Sequence, residues 1–290
     1  MSEMKTLEFT LAPVQKFVSQ ARRTRDYWAG SYLLSYLTAN AIKGVCNSGT
    51  KNNIRFLQIE EEPLLKAVIG GQIGSKEELS IASIPNHFTA DCEDPVAAGK
   101  AGEKALRDAW QEIAAGVWDE VRTRLSESET LKKNLTELGS ADLPPVWKRQ
   151  IENLWEIYWV AGASEGMNER KNWRQQFFMK EEGEVCTVCG ERVVVFGEKQ
   201  SRWEVREIWH GQDGIVKKIN AKWPLALDNE NTERLCAVCL IKRIYPHLTE
   251  KLFGWEVNTE FPTTHKFAEL SGKDAQGEPF PYYALLRMDG

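Results

Sequence analysis

Residues 6–45 read TLEFTLAPVQKFVSQARRTRDYWAGSYLLSYLTANAIKGV, and the change of period inside this stretch decides how the rest is read. Thr6–Leu11 alternates polar and apolar residues, the two-residue repeat of a strand with one buried face. Ala12-Pro13 interrupts it. From Val14 to about Val45 the apolar residues, among them Val14, Phe17, Val18, Ala21, Trp28, Leu34 and Leu37, follow a helical repeat. That repeat slips at Trp28-Ala29-Gly30, where a bend or break is expected. Further along, Ile54–Ile59 and Leu79–Ile84 are strand candidates bounded by turn residues. Lys100–Leu125 is the clearest amphipathic helix, with Leu106, Trp110, Ile113, Val117, Val121 and Leu125 on one stripe. Pro144-Pro145 opens a short helix. Leu154–Val160 reads as a strand that sets Trp155, Ile157 and Trp159 against Glu156, Tyr158 and Val160.

The resulting order, strand-helix-strand-strand-helix-strand, predicts an α+β fold with a ferredoxin-like βαββαβ unit over residues 1–162. Unrelated proteins share that order, so it gives no function by itself. After it come a charged helix at Glu165–Met179, within a connector over 163–182, and a cysteine-bearing module over 183–250. That module is expected to contain a hairpin of Val193–Phe196 and Trp203–Trp209. Residues 251–290 are rich in turn residues and end in a strand, Tyr282–Met288.

The 290 residues suggest about two domains. A composition of 42% hydrophobic and 27% charged residues is that of a globular chain with a real core rather than a disordered one. The net charge of −5 excludes a uniformly basic nucleic-acid coat but not a local basic patch. No apolar run is long enough to span a membrane. The opening residues MSEMKTLEF lack the apolar core of a secretory signal, so a cytoplasmic protein with reduced thiols is expected. Eleven tryptophans point to a heavily aromatic core.

Four of the six cysteines form two C-x-x-C pairs, Cys186-Thr-Val-Cys189 and Cys236-Ala-Val-Cys239, with 46 residues between them. Each pair turns two thiolates toward one point, and two such turns complete a four-sulfur set suited to Zn²⁺. All four positions would be protein ligands, which makes the site structural. A redox C-x-x-C is the competing reading, and two pairs make it the weaker one. Cys46 and Cys92 read as inert buried thiols.

Where the first strand passes into its helix, Leu11-Ala12-Pro13-Val14-Gln15 leaves backbone N–H groups near a helix start, a weak anion signal without glycine. One or two turns on, Arg22, Arg23 and Arg25 form a basic cluster able to meet phosphates, with Asp26 partly neutralising it. Trp28-Ala29-Gly30-Ser31 leaves a gap of small residues that a ligand or another backbone can approach.

These residues carry a resemblance. Phe9-Thr10-Leu11-Ala12-Pro13-Val14-Gln15-Lys16-Phe17-Val18, then Ala21-Arg22-Arg23-Thr24-Arg25-Asp26 and Trp28-Ala29-Gly30-Ser31-Tyr32-Leu33-Leu34-Ser35, resemble the signature of a large-subunit family. It is that of the palm-domain subunit of type III-B, Cmr-type, CRISPR RNA-guided effector complexes. Ile84-Pro85-Asn86-His87-Phe88, the cysteine pairs, Phe261-Pro262-Thr263-Thr264 and Tyr282–Gly290 are similar in kind and order. The resemblance implies a first palm, a helical and zinc-bearing middle, and a second palm of which this chain holds only the first strand.

It also implies chemistry. In the family, a Gly-Gly-Asp-Asp motif on the second palm, with two Mg²⁺ or Mn²⁺ ions, joins ATP into cyclic oligoadenylate when target RNA is bound. Many members add a His-Asp nuclease. Here no histidine is followed by Asp, and the only Gly-Gly is Gly70-Gly71, so both motifs are absent from this sequence. The family usually has Gly where Ala12 stands. By resemblance Pro13, Gln15 and Ser31 line an ATP pocket shared with the second palm, and Asp289 stands where a palm places a metal ligand. Loss of the second palm would expose a Trp-rich surface.

The expectation is a subunit or fragment that contributes a nucleotide-pocket palm and a structural zinc site, without activity on its own. Its partners would be the other Cmr-type subunits, CRISPR RNA and target RNA, and no membrane. The alternative is a zinc-stabilised RNA- or DNA-binding protein that uses Arg22, Arg23 and Arg25. A self-sufficient nucleotidyl enzyme is disfavoured by the lack of a P-loop or a paired set of metal carboxylates.

Overall fold

The computed structural model describes residues 4–49, 53–55, 61–128, 131, 144–162, 167, 181–197, 200–228 and 232–259. The chain divides into two compact units, Met1–Asn258 and Thr259–Gly290. The architecture below is that of the first. Apart from Met167, the charged helix expected at Glu165–Met179 lies outside the described residues, as do the segment Phe261–Thr264, the closing strand Tyr282–Met288 and Asp289.

Four antiparallel strands make the sheet: β1 (Lys5–Ala12), β2 (Asn53–Ile54), β3 (His87–Cys92) and β4 (Glu156–Ala161), in the order β2–β3–β1–β4. The first two strands are therefore separated by the third. Register follows the alternation read from β1. Phe9 stands opposite Phe88 on one side and Trp159 on the other, and Leu7 opposite Ala90 and Ala161. These residues share the inner face, where the Phe9 and Phe88 rings stack at 5.0 Å. The other face carries Thr6, Glu8 and Thr10 beside His87, Thr89 and Asp91, with Glu8 Oε1 2.8 Å from His87 Nε2.

The helices pack on the inner face. α1 (Gln15–Ser19) is short, and α2 (Thr24–Asn47) follows after an elbow at residues 20–23. The expected single helix is thus broken earlier than its pattern suggested. Asp26 is the cause: its Oδ2 accepts from the backbone N–H of Arg22 (3.0 Å) and Arg23 (3.2 Å), and so starts a new helix. Trp28-Ala29-Gly30 runs through α2 unbroken. A Cβ on Gly30 would stand 3.3 Å from the Val18 Cα and 3.4 Å from the Lys242 Nζ, so the small-residue gap is filled by the chain itself.

The strand expected at Leu79–Ile84 is not formed. α3 (Pro63–Gly70) ends at Gly71, whose φ of +66° favours glycine, and α4 (Lys76–Leu79) starts from a Ser75–Glu78 capping box. Pro85 then removes a ladder donor, and the strand begins two residues later with Phe88, Ala90 and Cys92 pointing inward. Asn86 extends β1 through its backbone carbonyl, which accepts from Leu11 N (3.0 Å), and its side chain, which donates to Leu11 O (3.1 Å). Of the strand expected at Ile54–Ile59, Asn53–Ile54 is formed and residues 56–60 lie outside the described ones.

α5 (Pro95–Leu125) starts at Asp94, whose carboxylate accepts from Val96 N and Ala97 N. Its 31 residues extend about 46 Å at 1.5 Å each. That is long enough to serve two regions. Near its start, Gly99 faces Trp159 and Gly102 faces Phe9 beneath the sheet; further along, Trp118 packs on Trp147 and Phe196, and Gly116 faces Leu252. α6 (Pro145–Glu152) leads into β4 as expected. The expected hairpin is replaced by helices. Val193 makes only an isolated bridge to Val185, and Ser201 with Glu204 caps α7 (Arg202–His210), which buries Val205 and Trp209 one turn apart. α8 (Ile215–Lys222), α9 (Ala237–Ile244), a 3-10 turn (Tyr245–His247) and α10 (Thr249–Phe253) complete the unit. Among the described tryptophans only Trp203 is exposed; the others pack into or against the core.

α2 and α5 cross closely at glycines. A Cβ on Gly44 would lie 2.5 Å from the Ala101 carbonyl oxygen and 2.8 Å from the Ala105 Cβ. Gly70, at the end of α3, has nothing within 4 Å of such a Cβ. Gly44→Ala is therefore expected to destabilise the protein by about 1–3 kcal/mol through overpacking. Gly70→Ala should leave the midpoint of thermal unfolding within about a degree, since it adds no clash. Calorimetry on both variants checks the pair.

A four-cysteine centre beside the α1–α2 elbow

The two C-x-x-C turns meet. One Sγ each from Cys186, Cys189, Cys236 and Cys239 lie within 4.8 Å of one another, and the Cys189 and Cys236 sulfurs are 3.8 Å apart. Four sulfurs around one zinc ion at about 2.3 Å stand about 3.8 Å from each other, so the set has the size and the donor chemistry of a Zn–S₄ site.

Local structure explains why the thiols converge. In the first turn Gly190 N donates to Cys186 O (2.9 Å), and Gly190 takes φ +67°, which a side chain would resist. Cys186 N donates to Arg192 O (2.8 Å). In the second turn Cys236 is the N-cap of α9, and its sulfur accepts from Cys239 N (3.4 Å). The turns are tied together where Thr187 N donates to Arg234 O (2.9 Å) and Arg234 N donates to Thr187 Oγ1 (3.0 Å). Gln150 of α6 braces both: its Nε2 donates to Val193 O (3.0 Å), and its Oε1 accepts from Ala237 N (2.9 Å).

Cys186, Cys236 and Cys239 are buried, and Cys189 is partly so. Crowding separates their proton affinities. Hydrogen bonds from the other three thiols hold the Cys189 sulfur far below the usual thiol range, whereas burial, together with hydrogen bonds to Cys186 and Cys189, raises Cys236. Cys46 and Cys92 stand elsewhere. Burial raises both, Cys92 to about 11, so neither is a ready nucleophile.

α9 joins this centre to the start of the chain. Lys242, 2% exposed, donates from Nζ to Phe17 O (2.8 Å) and Gln20 O (2.7 Å) and lies 4.8 Å from the Phe17 ring centroid. Arg243, also buried, bonds through Nε to Asp26 Oδ1 at 2.8 Å and through its terminal nitrogens to Glu233 and the Ala226 carbonyl. Lys242 and Arg243 went unnoticed in the sequence because they interrupt an apolar helical run, Ala237–Ile244, as an ordinary charged pair would. The signal was that the run leaves them no exposed stripe.

The elbow holds the residues singled out from the sequence. Arg23 Nη1 donates to Leu225 O at 2.7 Å and Arg25 Nη2 to the same oxygen at 3.0 Å, where Leu225 has φ +61°. Burial first, then the Arg23 and Arg243 charges, lower the Arg25 pKa. Arg22 is exposed. Pro13, joined to Ala12 by a cis peptide bond, is half-buried, Gln15 is exposed at the start of α1, and Ser31 is half-buried on α2. No helix among the described residues is long and apolar enough to cross a membrane.

Residues 6–115, from β1 into α5, match the family described as CRISPR-associated protein Cmr2, N-terminal. The chain is 23% identical to the CRISPR system Cmr subunit Cmr2 of Pyrococcus furiosus over 308 aligned positions, which cover 88% of this chain and 32% of that protein. Two cryo-EM structures of type III-B Cmr-beta share the fold. The form bound to cognate target RNA aligns with a TM-score of 0.52 at 17% identity, and the apo state with 0.52 at 16%; each alignment covers 92% of this chain and 36% of the other. The chain thus spans about a third of the length of these relatives. Through a matched N-terminal family segment, a relative aligned along most of the chain and a shared fold, the chain is similar to the Cmr2-type large subunits of type III-B CRISPR complexes.

Proposed function

We propose that this chain supplies the first palm, with its share of a nucleotide pocket, and a structural zinc centre to a Cmr2-type large subunit working in the cytoplasm within a type III-B effector complex. The match over residues 6–115 carries the reading, because β1, the elbow motif and the Ile84–Phe88 segment all fall inside it. The antiparallel order β2–β3–β1–β4 supports a ferredoxin-like palm over residues 1–162. On this reading 163–182 is a connector, 183–250 the zinc module and 251–290 the passage into a second palm. CRISPR RNA, target RNA and the other Cmr-type subunits are partners through the complex.

ATP is the substrate of the assembled subunit. Joining ATP molecules needs carboxylates that hold two metal ions across the reacting oxygens. The second palm, with its Gly-Gly-Asp-Asp motif, supplies them, and Mg²⁺ or Mn²⁺ with it; Asp289 would be the residue of this chain that leads toward that site. The chain's own part is to position a nucleotide. Gln15 and Ser31 are suited to it because, among the described residues, neither side chain has a hydrogen-bond partner, and Pro13 fixes the turn between them and β1. A free-standing nucleic-acid-binding role through Arg22–Arg25 has less support, since Arg23 and Arg25 both spend donors on Leu225 O.

The four thiolates would hold Zn²⁺ with no position left for water, so the ion stabilises the fold and takes no part in the chemistry. Elemental analysis of purified protein should give about one zinc per chain. Cys236→Ser or Cys239→Ser should lose the metal and lower the unfolding midpoint; full-strength zinc in both variants would contradict the assignment.

Incubated with ATP, Mg²⁺ or Mn²⁺ and the target-RNA-bound partner subunits, the chain alone should yield no cyclic oligoadenylate. Supplying the second palm should restore it. In that restored assembly Gln15→Ala and Ser31→Ala should each weaken ATP binding about 2–10-fold, the size of one lost hydrogen bond. Cyclic product from the chain without a second palm would refute the division of labour.

A further inference from the structure

The first turns of α2 run between two walls. On one side α1 comes close at Gly30, where a Cβ would stand 3.3 Å from the Val18 Cα. On the other side run residues 80–84, tied to α2 by Trp28 Nε1 donating to Ser80 O (2.8 Å) and by Ser35 Oγ donating to Ile84 O (2.9 Å). The end of β1 closes the space between them, since Leu11 N donates to Asn86 O (3.0 Å) and Pro13 follows. At about 3.6 residues per turn, Gly30 faces one wall, Trp28 and Ser35 face the other, and Tyr27 and Ser31 fall on the strip between. That strip is the floor of a groove.

Tyr27 stands one turn before Ser31 and is 47% exposed. Among the described residues it has no hydrogen-bond or ring partner. Its neighbours do: Trp28 and Tyr32 stack at 5.0 Å and pack with the core. The Tyr27 ring therefore adds little to the fold and offers a bare aromatic face to the groove floor. Ile81, 60% exposed, belongs to the facing wall. The charges say which part of a nucleotide fits. Lys16 of α1 is paired with Glu191 at 2.9 Å, and Arg23 and Arg25 both donate to Leu225 O. Arg22 lies in the elbow, before α2 begins. Gln15, Tyr27, Ser31 and Ile81 are neutral. A phosphate chain calls for cations. A base with its ribose calls for a flat apolar surface and a few neutral hydrogen-bonding groups, which this groove supplies.

We propose that Tyr27 is the platform on which this chain stacks the adenine base of ATP, with Ser31 and Gln15 meeting the nucleoside's polar edge beside it. The inference rests on the nucleotide-pocket reading above and adds which end of the nucleotide this chain holds. It takes the nucleoside and leaves the phosphates to the metal ions that the second palm brings. Tyr27 is thus a specificity residue: it acts through its ring face and distinguishes a ligand that carries a base from a bare polyphosphate.

Titrating the assembly that includes the second palm with ATP, and separately with inorganic tripolyphosphate, tests this. Tyr27→Ala should weaken ATP binding about 5–100-fold, the usual effect of losing one aromatic–base stack. It should leave tripolyphosphate binding and the unfolding midpoint where they are in the parent. Tyr27→Phe and Tyr27→Trp keep a ring and should bind ATP within about 3-fold of the parent. ATP bound at parent strength by Tyr27→Ala, while Gln15→Ala and Ser31→Ala weaken it, overturns the stacking assignment and leaves the pocket reading standing. Equal losses of ATP and tripolyphosphate in Tyr27→Ala, or no recovery in Tyr27→Phe, also overturn it, because a missing ring face acts only on a ligand with a base. Parent-strength ATP binding in all three alanine variants overturns the pocket reading itself.

Discussion

The guanidinium of Arg243 is the charge around which the first unit closes. It is buried, bonded to Asp26 on one side and Glu233 on the other, and both carboxylates are buried with it. A buried ion is tolerable only when paired, and removing one partner of such a set costs about 3–5 kcal/mol. That is a large share of the roughly 5–15 kcal/mol that holds a domain together. Three distant stretches must therefore be in place at once: the start of α2, the segment around Glu233, and α9. Asp26 adds a local duty, since the oxygen not facing Arg243 accepts from two backbone N–H groups and sets where α2 begins. Arg23 and Arg25 reinforce the same contact from outside by holding the Leu225 carbonyl.

α5 supplies the second constraint. One end lies under the sheet and the other reaches the aromatic group of Trp118, Trp147, Phe196 and Trp209. A strand-bearing part and a cysteine-bearing part are thus built on one continuous core rather than joined by a flexible linker. The glycines along α5 make this possible: Gly99, Gly102 and Gly116 each admit a large neighbour that a side chain would displace. Such close packing transmits displacement, because a core at this density has little free volume in which to absorb it.

Much of this was legible in the sequence. The alternation of Thr6–Leu11 gave β1 and its buried face, the stripe of Leu106, Trp110, Ile113 and Val117 gave α5, and the spacing of the cysteines gave a four-sulfur set that the fold does bring together. The failures share a cause. Leu79–Ile84 was read as a strand between bounding turn residues, yet Ile81 is exposed and the true strand is the more polar His87–Cys92. Its register is set by pairing with β1, which local propensity does not contain. Trp203–Trp209 was read as the second strand of a hairpin with Val193–Phe196, and the Ser201–Glu204 capping box decided for a helix. The elbow was misplaced because its cause is the Asp26 carboxylate reaching backward, not a break in the apolar repeat. The place of Lys242 was hard to read because its partner Phe17 is 225 residues away in sequence.

The stretch from Pro13 to Ser31 carries two kinds of residue, and the fold separates them. Arg23, Arg25, Asp26 and Gly30 are committed inward or across to other segments, each with a named contact. Gln15 and Ser31 have no side-chain partner among the described residues. A binding wall needs such uncommitted groups, and it needs them held still, since a hydrogen-bonding group that must first be ordered returns less affinity to its ligand. On the proposed reading, the anchoring residues would provide that stillness from within the same stretch of sequence. This explains why the motif is long and mixed in character rather than a compact phosphate loop. At Gly30 the missing side chain makes room for Lys242 rather than for a phosphate, and a carboxylate, two arginines and a buried lysine hold the backbone of this stretch in place.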